Sequence, residues 1–194
     1  MQSCGVPPWS IPLVINLIHQ RYPDAKIVFV ARSEESSPKV SFAIKQAKAS
    51  YVRSAFDTNE ELADAIREEL GGTATVFIGS SGAAIEHEIA FRYGVLGCNG
   101  IYNSFSLGPE ITFDTMPFGF KNQVIFGSII FRQDHMEEAI RILQNSCYDE
   151  IVELIDKGEF IEDPVSAYED KIYAKGAPMK TAVIWNEKYM DKDC

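Results

Sequence analysis

Short apolar runs alternate with amphipathic helical stretches from Ser10 to about Ser146, a rhythm that excludes most architectures. Ile11, Val14, Ile15 and Ile18 repeat at helical spacing and predict a helix from Ser10 to about Arg21, closed by Tyr22-Pro23-Asp24. Ser10 can cap that helix, and Pro12 is tolerated in a first turn whose amides have no partner to lose. Ile27 to Val30 reads as a strand buried on both faces. A polar turn from Arg32 to Pro38 leads into a weaker helix around Val40 to Lys48, and Tyr51-Val52 is a second short strand. Thr58-Asn59-Glu60-Glu61 is a capping box; the helix it opens carries Leu62, Ile66 and Leu70 on one face and stops at Gly71-Gly72.

The same alternation continues. Val76-Phe77-Ile78 is the next expected buried strand, and it runs into Gly79-Ser80-Ser81-Gly82. Ala83 to Phe91 reads as a helix, Gly97 to Tyr102 as a strand, and Asn122 to Phe131 as a stretch rich in β-formers. A further helix places Met136, Ala139, Ile140 and Leu143 on one side. Strands separated by helices in this way predict right-handed βαβ units and a mostly parallel sheet, an α/β fold of the doubly wound kind. The tail breaks the pattern with Phe160-Ile161, a helix near Pro164 to Tyr173 and a strand from Lys180 to Trp185. Residues 1–146 are therefore expected to form one domain and residues 147–194 an appended segment.

Charge and cysteine usage narrow the function classes. Eighteen basic against twenty-eight acidic residues give a net charge of −10, which disfavours nucleic acid and anionic membrane partners. It leaves room for an anionic cofactor, because phosphates are held by local amides. Cys4, Cys98, Cys147 and Cys194 lie far apart with no histidine at ligand spacing, the usage of a reducing compartment. No run reaches the ~18 apolar residues of a membrane span, and no signal peptide opens the chain. A cytoplasmic protein is expected.

Open parallel sheets bind ligands at the carboxyl ends of their strands. The loops in question are Gly5–Ser10, Ala31–Ser37, Gly79–Gly82 and Tyr102–Ser106. The first resembles a G-x-G-x-x-G phosphate turn in which Pro7 and Ser10 replace the second and third glycines. Such a turn is normally fed by a buried strand, so the first strand here is expected to be short or missing. After the second strand, NAD-preferring folds place an acid that bonds the ribose 2′-hydroxyl. Ala31 and Arg32 stand there instead, and a guanidinium suits a 2′-phosphate. His19, His87 and His135 all fall on expected helices, where solvated or half-buried rings are the ordinary outcome.

In this order, the elements resemble the nucleotide-binding half of the medium-chain, zinc-type alcohol dehydrogenase superfamily. Thr75 to Gly82 is similar to the family's strand ending in a small-residue turn against the cofactor. Ile111-Thr112-Phe113-Asp114 and then Lys121 to Ser128 resemble its late loop and its K-x-x-x-I-x-G-S edge strand. Glu137 to Leu143 is similar to the helix that follows. Ile155 to Phe160, Pro164 to Tyr173 and Lys180 to Val183 resemble the element that returns to the catalytic domain. Ala31-Arg32-Ser33 looks most like the glucose dehydrogenase-like branch, with sugar-phosphate and polyol reductases close to it.

The resemblance implies a Rossmann-like dinucleotide-binding domain over residues 1–146 and a remnant of the GroES-like catalytic domain over residues 147–194. It implies NADP or NAD as cofactor, with Gly5 and Ile11 near the pyrophosphate, Arg32 at the adenosine ribose and Ser81 under the adenine side. Tyr102 and Asn103 would lie at the approach to the nicotinamide. The family's zinc acts as a Lewis acid on the substrate oxygen, and this chain offers no ligand set for it. Pro7, Ser10 and an apolar Ile130, where the branch tends to place an asparagine, are further departures. Three readings stay open: the cofactor-binding half of a dehydrogenase, inactive without a zinc-domain half; a non-catalytic nucleotide-binding or dimerisation module paired through strand 122–131; and an inert product.

Overall fold

The computed structural model of the chain describes residues 10–105, 108, 110–112, 114–128, 131–145, 155–156 and 180–181. The expected turn at Gly5, the strand at Phe160-Ile161, the helix at Pro164–Tyr173 and residues 182–185 lie outside the described residues. The chain divides into two compact units, Met1–Arg132 and Gln133–Cys194.

The first unit begins with α1 (Ser10–Arg21), β1 (Val28–Ala31), α2 (Pro38–Ala47) and β2 (Ser50–Arg53). β1 and β2 pair in parallel, with Phe29 opposite Tyr51 and Val30 opposite Val52. Strand side chains alternate between faces, and each face of this pair meets a different set of helices. Phe29, Ala31 and Tyr51 pack with Ile15 of α1 and with Val40, Ala43 and Ala47 of α2. Val28, Val30 and Val52 turn the other way, onto Leu62, Ala63 and Ile66 of α3 (Asn59–Leu70). Cover on both faces is why Ile27 to Val30 is continuously apolar.

The capping box at the start of α3 forms as the sequence predicts. Thr58 Oγ1 accepts from the Glu61 amide and Glu61 Oε2 accepts from the Thr58 amide, each at 3.2 Å. Caps of this kind contribute about 1 kcal/mol by satisfying amides that the helix leaves free. At the far end Gly71 adopts φ +72°, a left-handed conformation that a side chain would strain.

β3 (Ala74–Gly79), β4 (Leu96–Ser104) and β5 (Val124–Gly127) form a second parallel sheet in the order β3-β4-β5. Val76, Ile101 and Val124 lie abreast in one register row, and Phe77, Tyr102 and Ile125 in the next. Gln123 fastens β5 to β4 by donating from Nε2 to the carbonyls of Leu96 and Gly97. β3 departs from the expected buried strand. Phe77 faces the core, but Val76 is 55% exposed, as are Ile101 at 44% and Val124 at 52%, so among the described residues of the first unit only one face of this sheet is covered.

Between β3 and β4 the sequence predicts one helix from Ala83 to Phe91. The chain instead forms a short α4 (Ala84–His87) that widens into a π-helical turn, Glu88–Arg92. Ile89, Ala90 and Phe91 are all buried. The wider turn sends Ile89 toward Leu62 and Ala90 and Phe91 toward Tyr102, which serves two clusters from three consecutive residues. α5 (Thr115–Phe120) precedes β5 and is capped by Asp114 Oδ1, which accepts from the Met116 amide at 2.9 Å.

Side chains of β1, β2 and β3 meet around Leu62, yet no hydrogen-bonded pairing joins the two sheets among the described residues. In a doubly wound sheet the strand preceding the first helix lies between these two halves. The segment before α1 lies outside the described residues. The second unit contains α6 (Gln133–Asn145) and a parallel pair of β6 (Ile155–Asp156) with β7 (Lys180–Thr181). Among the described residues no helix is long and apolar enough to cross a membrane.

Candidate functional site

Every strand pair in the first unit is parallel, so the loops after β1, β3, β4 and β5 leave from the carboxyl edges of their sheets. This edge is where open α/β sheets bind ligands. The loop after β1 is built around Tyr51. Its hydroxyl donates to the Ala31 carbonyl at 3.0 Å and also to the Ser33 carbonyl, holding both sides of Arg32. Burial pushes the Tyr51 phenol above its ordinary pKa, so the hydroxyl keeps its proton and the donation persists at neutral pH. Arg32 itself is exposed and forms no ion pair among the described residues. The acid nearest in sequence, Glu34, is engaged by Arg53 at 2.6 Å.

The turn after β3 is organised by a side chain that sequence reasoning missed. Glu86 reaches back from α4, and its Oε1 accepts from the Ser80 amide at 3.1 Å and from the Ser81 amide at 3.0 Å. Ser81 Oγ in turn accepts from the Ala83 amide at 3.2 Å. The one available signal was a glutamate at the third helical position after a serine-rich turn, the position from which such side chains fold back onto free amides. The loop after β4 passes against this turn: a Cβ on Gly108 would stand 2.6 Å from the Gly82 carbonyl oxygen.

Tyr102 and Asn103 point to opposite sides of β4, as strand alternation requires. Tyr102 is fully buried, stacked on Phe77 at 5.3 Å and close to His87 at 4.8 Å and Phe91 at 5.2 Å. It therefore stands beneath the rim rather than on it. Burial, reinforced by the Glu86 charge, drives its phenol far above the ordinary range, so it remains a neutral donor. Burial also lowers the His87 pKa against the pull of Glu86, leaving the ring neutral at pH 7. Tyr102 Oη, Glu86 Oε2 and Asn103 Oδ1 are buried without a hydrogen-bond partner.

The structure thus places Ser81 in the turn after β3 and Tyr102 and Asn103 on the adjacent strand β4, since Ile78 pairs with Asn103 and Gly79 with Ser104. Arg32 belongs to the other sheet. Ile11 lies in the first turn of α1, and Gly5 lies outside the described residues. Among the described residues, no three His, Cys, Asp or Glu side chains gather as a metal ion would need.

Comparison with solved structures places this architecture. Glucose dehydrogenase from Haloferax mediterranei superposes with a TM-score of 0.69 at 15% identity, over 90% of this chain and 48% of that one. The chain shares the fold of about half of that dehydrogenase. The same enzyme in complex with NADP, Zn and gluconolactone gives a TM-score of 0.68 at 14% identity, over 90% of this chain and 48% of that one. 2R,3R-butanediol dehydrogenase from Bacillus subtilis gives 0.60 at 16% identity, over 90% of this chain and 56% of that one. The chain spans about half the length of these structures. No family model and no curated protein sequence matches it.

Proposed function

We propose that this chain is the cofactor-binding half of an NAD(P)-dependent alcohol, sugar or polyol dehydrogenase, with NADP the preferred cofactor. The observation that supports this most is Arg32. It is an exposed guanidinium at the carboxyl end of β1, on a turn pinned by Tyr51, with no carboxylate at Ala31 or Arg32 to repel a 2′-phosphate. A structural neighbour of the same fold is known in complex with NADP, which agrees with that chemistry.

In this reading residues 1–146 carry the cofactor and residues 147–194 are the remnant of a catalytic domain. Gly5 and Ile11 stand near the pyrophosphate, Arg32 binds the 2′-phosphate, and Ser81 lies under the adenine side. Asn103 stands at the approach to the nicotinamide, with Tyr102 fixing β4 from below. The bound nicotinamide would supply hydride transfer.

Arg32→Ala tests the assignment. Loss of a charge-assisted contact to phosphate is expected to weaken NADP binding by about tenfold or more, while NAD binding stays within about twofold. Calorimetric titration of both cofactors reads this directly, and equal weakening of the two removes the 2′-phosphate role.

A second reading, a homodimer module without catalysis, draws on β5. Among the described residues it is the edge strand of its sheet, and Val124, Ile125 and Phe126 are 52%, 38% and 56% exposed. Such an edge invites pairing with another chain. Sedimentation equilibrium with and without a charge at Phe126 (Phe126→Lys) separates this reading from the first.

A further inference from the structure

Glu86 has two oxygens in unequal circumstances. Oε1 fills the two amides of the Ser80-Ser81 turn, whereas Oε2 is buried without a donor. Close by stands Tyr102 Oη, fully buried, protonated and without an acceptor. Gly79 measures how near they are. A Cβ built there would collide with Tyr102 Oη and stand 3.1 Å from Glu86 Oε2, so both groups converge on one glycine face. A carboxylate held by two backbone amides marks those amides as a seat for an oxyanion. An idle phenol beside it marks a second resting place for the same carboxylate.

We propose that the Ser80 and Ser81 amides are an anion seat, filled by Glu86 in the free chain. Glu86 yields it to a ligand phosphate or carboxylate oxygen by turning onto Tyr102 Oη. The inference deepens the cofactor reading, because the seat lies on the same rim, and it adds a built-in competitor that ligand must displace. Tyr102 is then a positioning residue that receives the displaced carboxylate. Asn59 Nδ2 donates to Glu88 Oε2 at 2.9 Å, so the neighbouring acid on this element is already engaged elsewhere.

The test follows the Ser80 and Ser81 amide resonances of the isotope-labelled full chain during titration with inorganic phosphate, against chloride at equal ionic strength. Glu86→Ala is expected to bind phosphate about tenfold more tightly than the unchanged chain, with shifts centred on these amides. Tyr102→Phe is expected to weaken phosphate binding about threefold when Glu86 is present and to have no effect in the Glu86→Ala background. If Glu86→Ala does not fold, Glu86→Gln keeps an acceptor while shedding the charge, and it too must bind phosphate more tightly.

Unchanged phosphate affinity on removing the Glu86 charge, or shifts confined to other residues, overturns the seat. The cofactor reading is separable. Tighter phosphate binding in the variants without any dinucleotide binding keeps the seat and removes that reading. Dinucleotide binding that is indifferent to Glu86 does the reverse.

Discussion

Tyr102→Ala is expected to destabilise the first unit by about 3–5 kcal/mol, the range for emptying a buried aromatic position. Tyr102 is the largest fully buried side chain among the described residues, and its ring is shared by Phe77 of β3, Phe91 of the π-helical turn and His87. Removing it leaves a hole lined by Phe77, His87 and Phe91. Domains of this size are stable by only about 5–15 kcal/mol, so the loss is a large fraction of the total. Tyr102→Phe is the informative partner. The hydroxyl has no hydrogen-bond partner in the free chain, so its removal is expected to change stability by no more than about 0.5 kcal/mol. Urea denaturation followed by circular dichroism reads both variants. A phenylalanine variant that loses as much as about 2 kcal/mol shows the hydroxyl to be bonded and contradicts the structure at this point.

Leu62→Ala is expected to cost about 2–5 kcal/mol, and its signature is cooperative. Leu62 is 4% exposed and lies in the cluster where Val28 and Val30 of β1, Val52 of β2 and Phe77 of β3 meet α3. Among the described residues no backbone ladder joins the two sheets, and this cluster is where their side chains meet. Native-state hydrogen exchange should therefore show the amides of Val30 and Phe77 losing protection together in the variant. Loss at one sheet alone would mean that the sheets fold independently.

The sequence showed what depends on periodicity and hid what depends on tertiary neighbours. The limits of α1, the box at Thr58 and the apolar run in β1 were readable, because each is written in consecutive residues with one spacing rule. Val76 was not. An apolar run looks alike whether one or both faces are covered, and only the packing of α4 and its π turn against the Phe77 side decides it. The π turn itself was hidden because three adjacent buried residues do not fit a helical repeat, and two separate clusters had to be known to explain them. At the rim, the place of Arg32 directly after β1 was legible from the apolar run before it. Glu86 was not, since its bonds to Ser80 and Ser81 depend on a fold-back that no composition reports. Tyr102 lay at the expected strand end, but strand alternation sends its ring under the rim and leaves the open side to Asn103.

The most direct test of the whole account is calorimetric titration of the intact, folded chain with NADP and with NAD. One saturable site per chain, tighter for NADP, is the predicted result. A chain that keeps its circular dichroism spectrum yet gives no binding heat or thermal stabilisation with either dinucleotide, at concentrations up to the millimolar range, contradicts it.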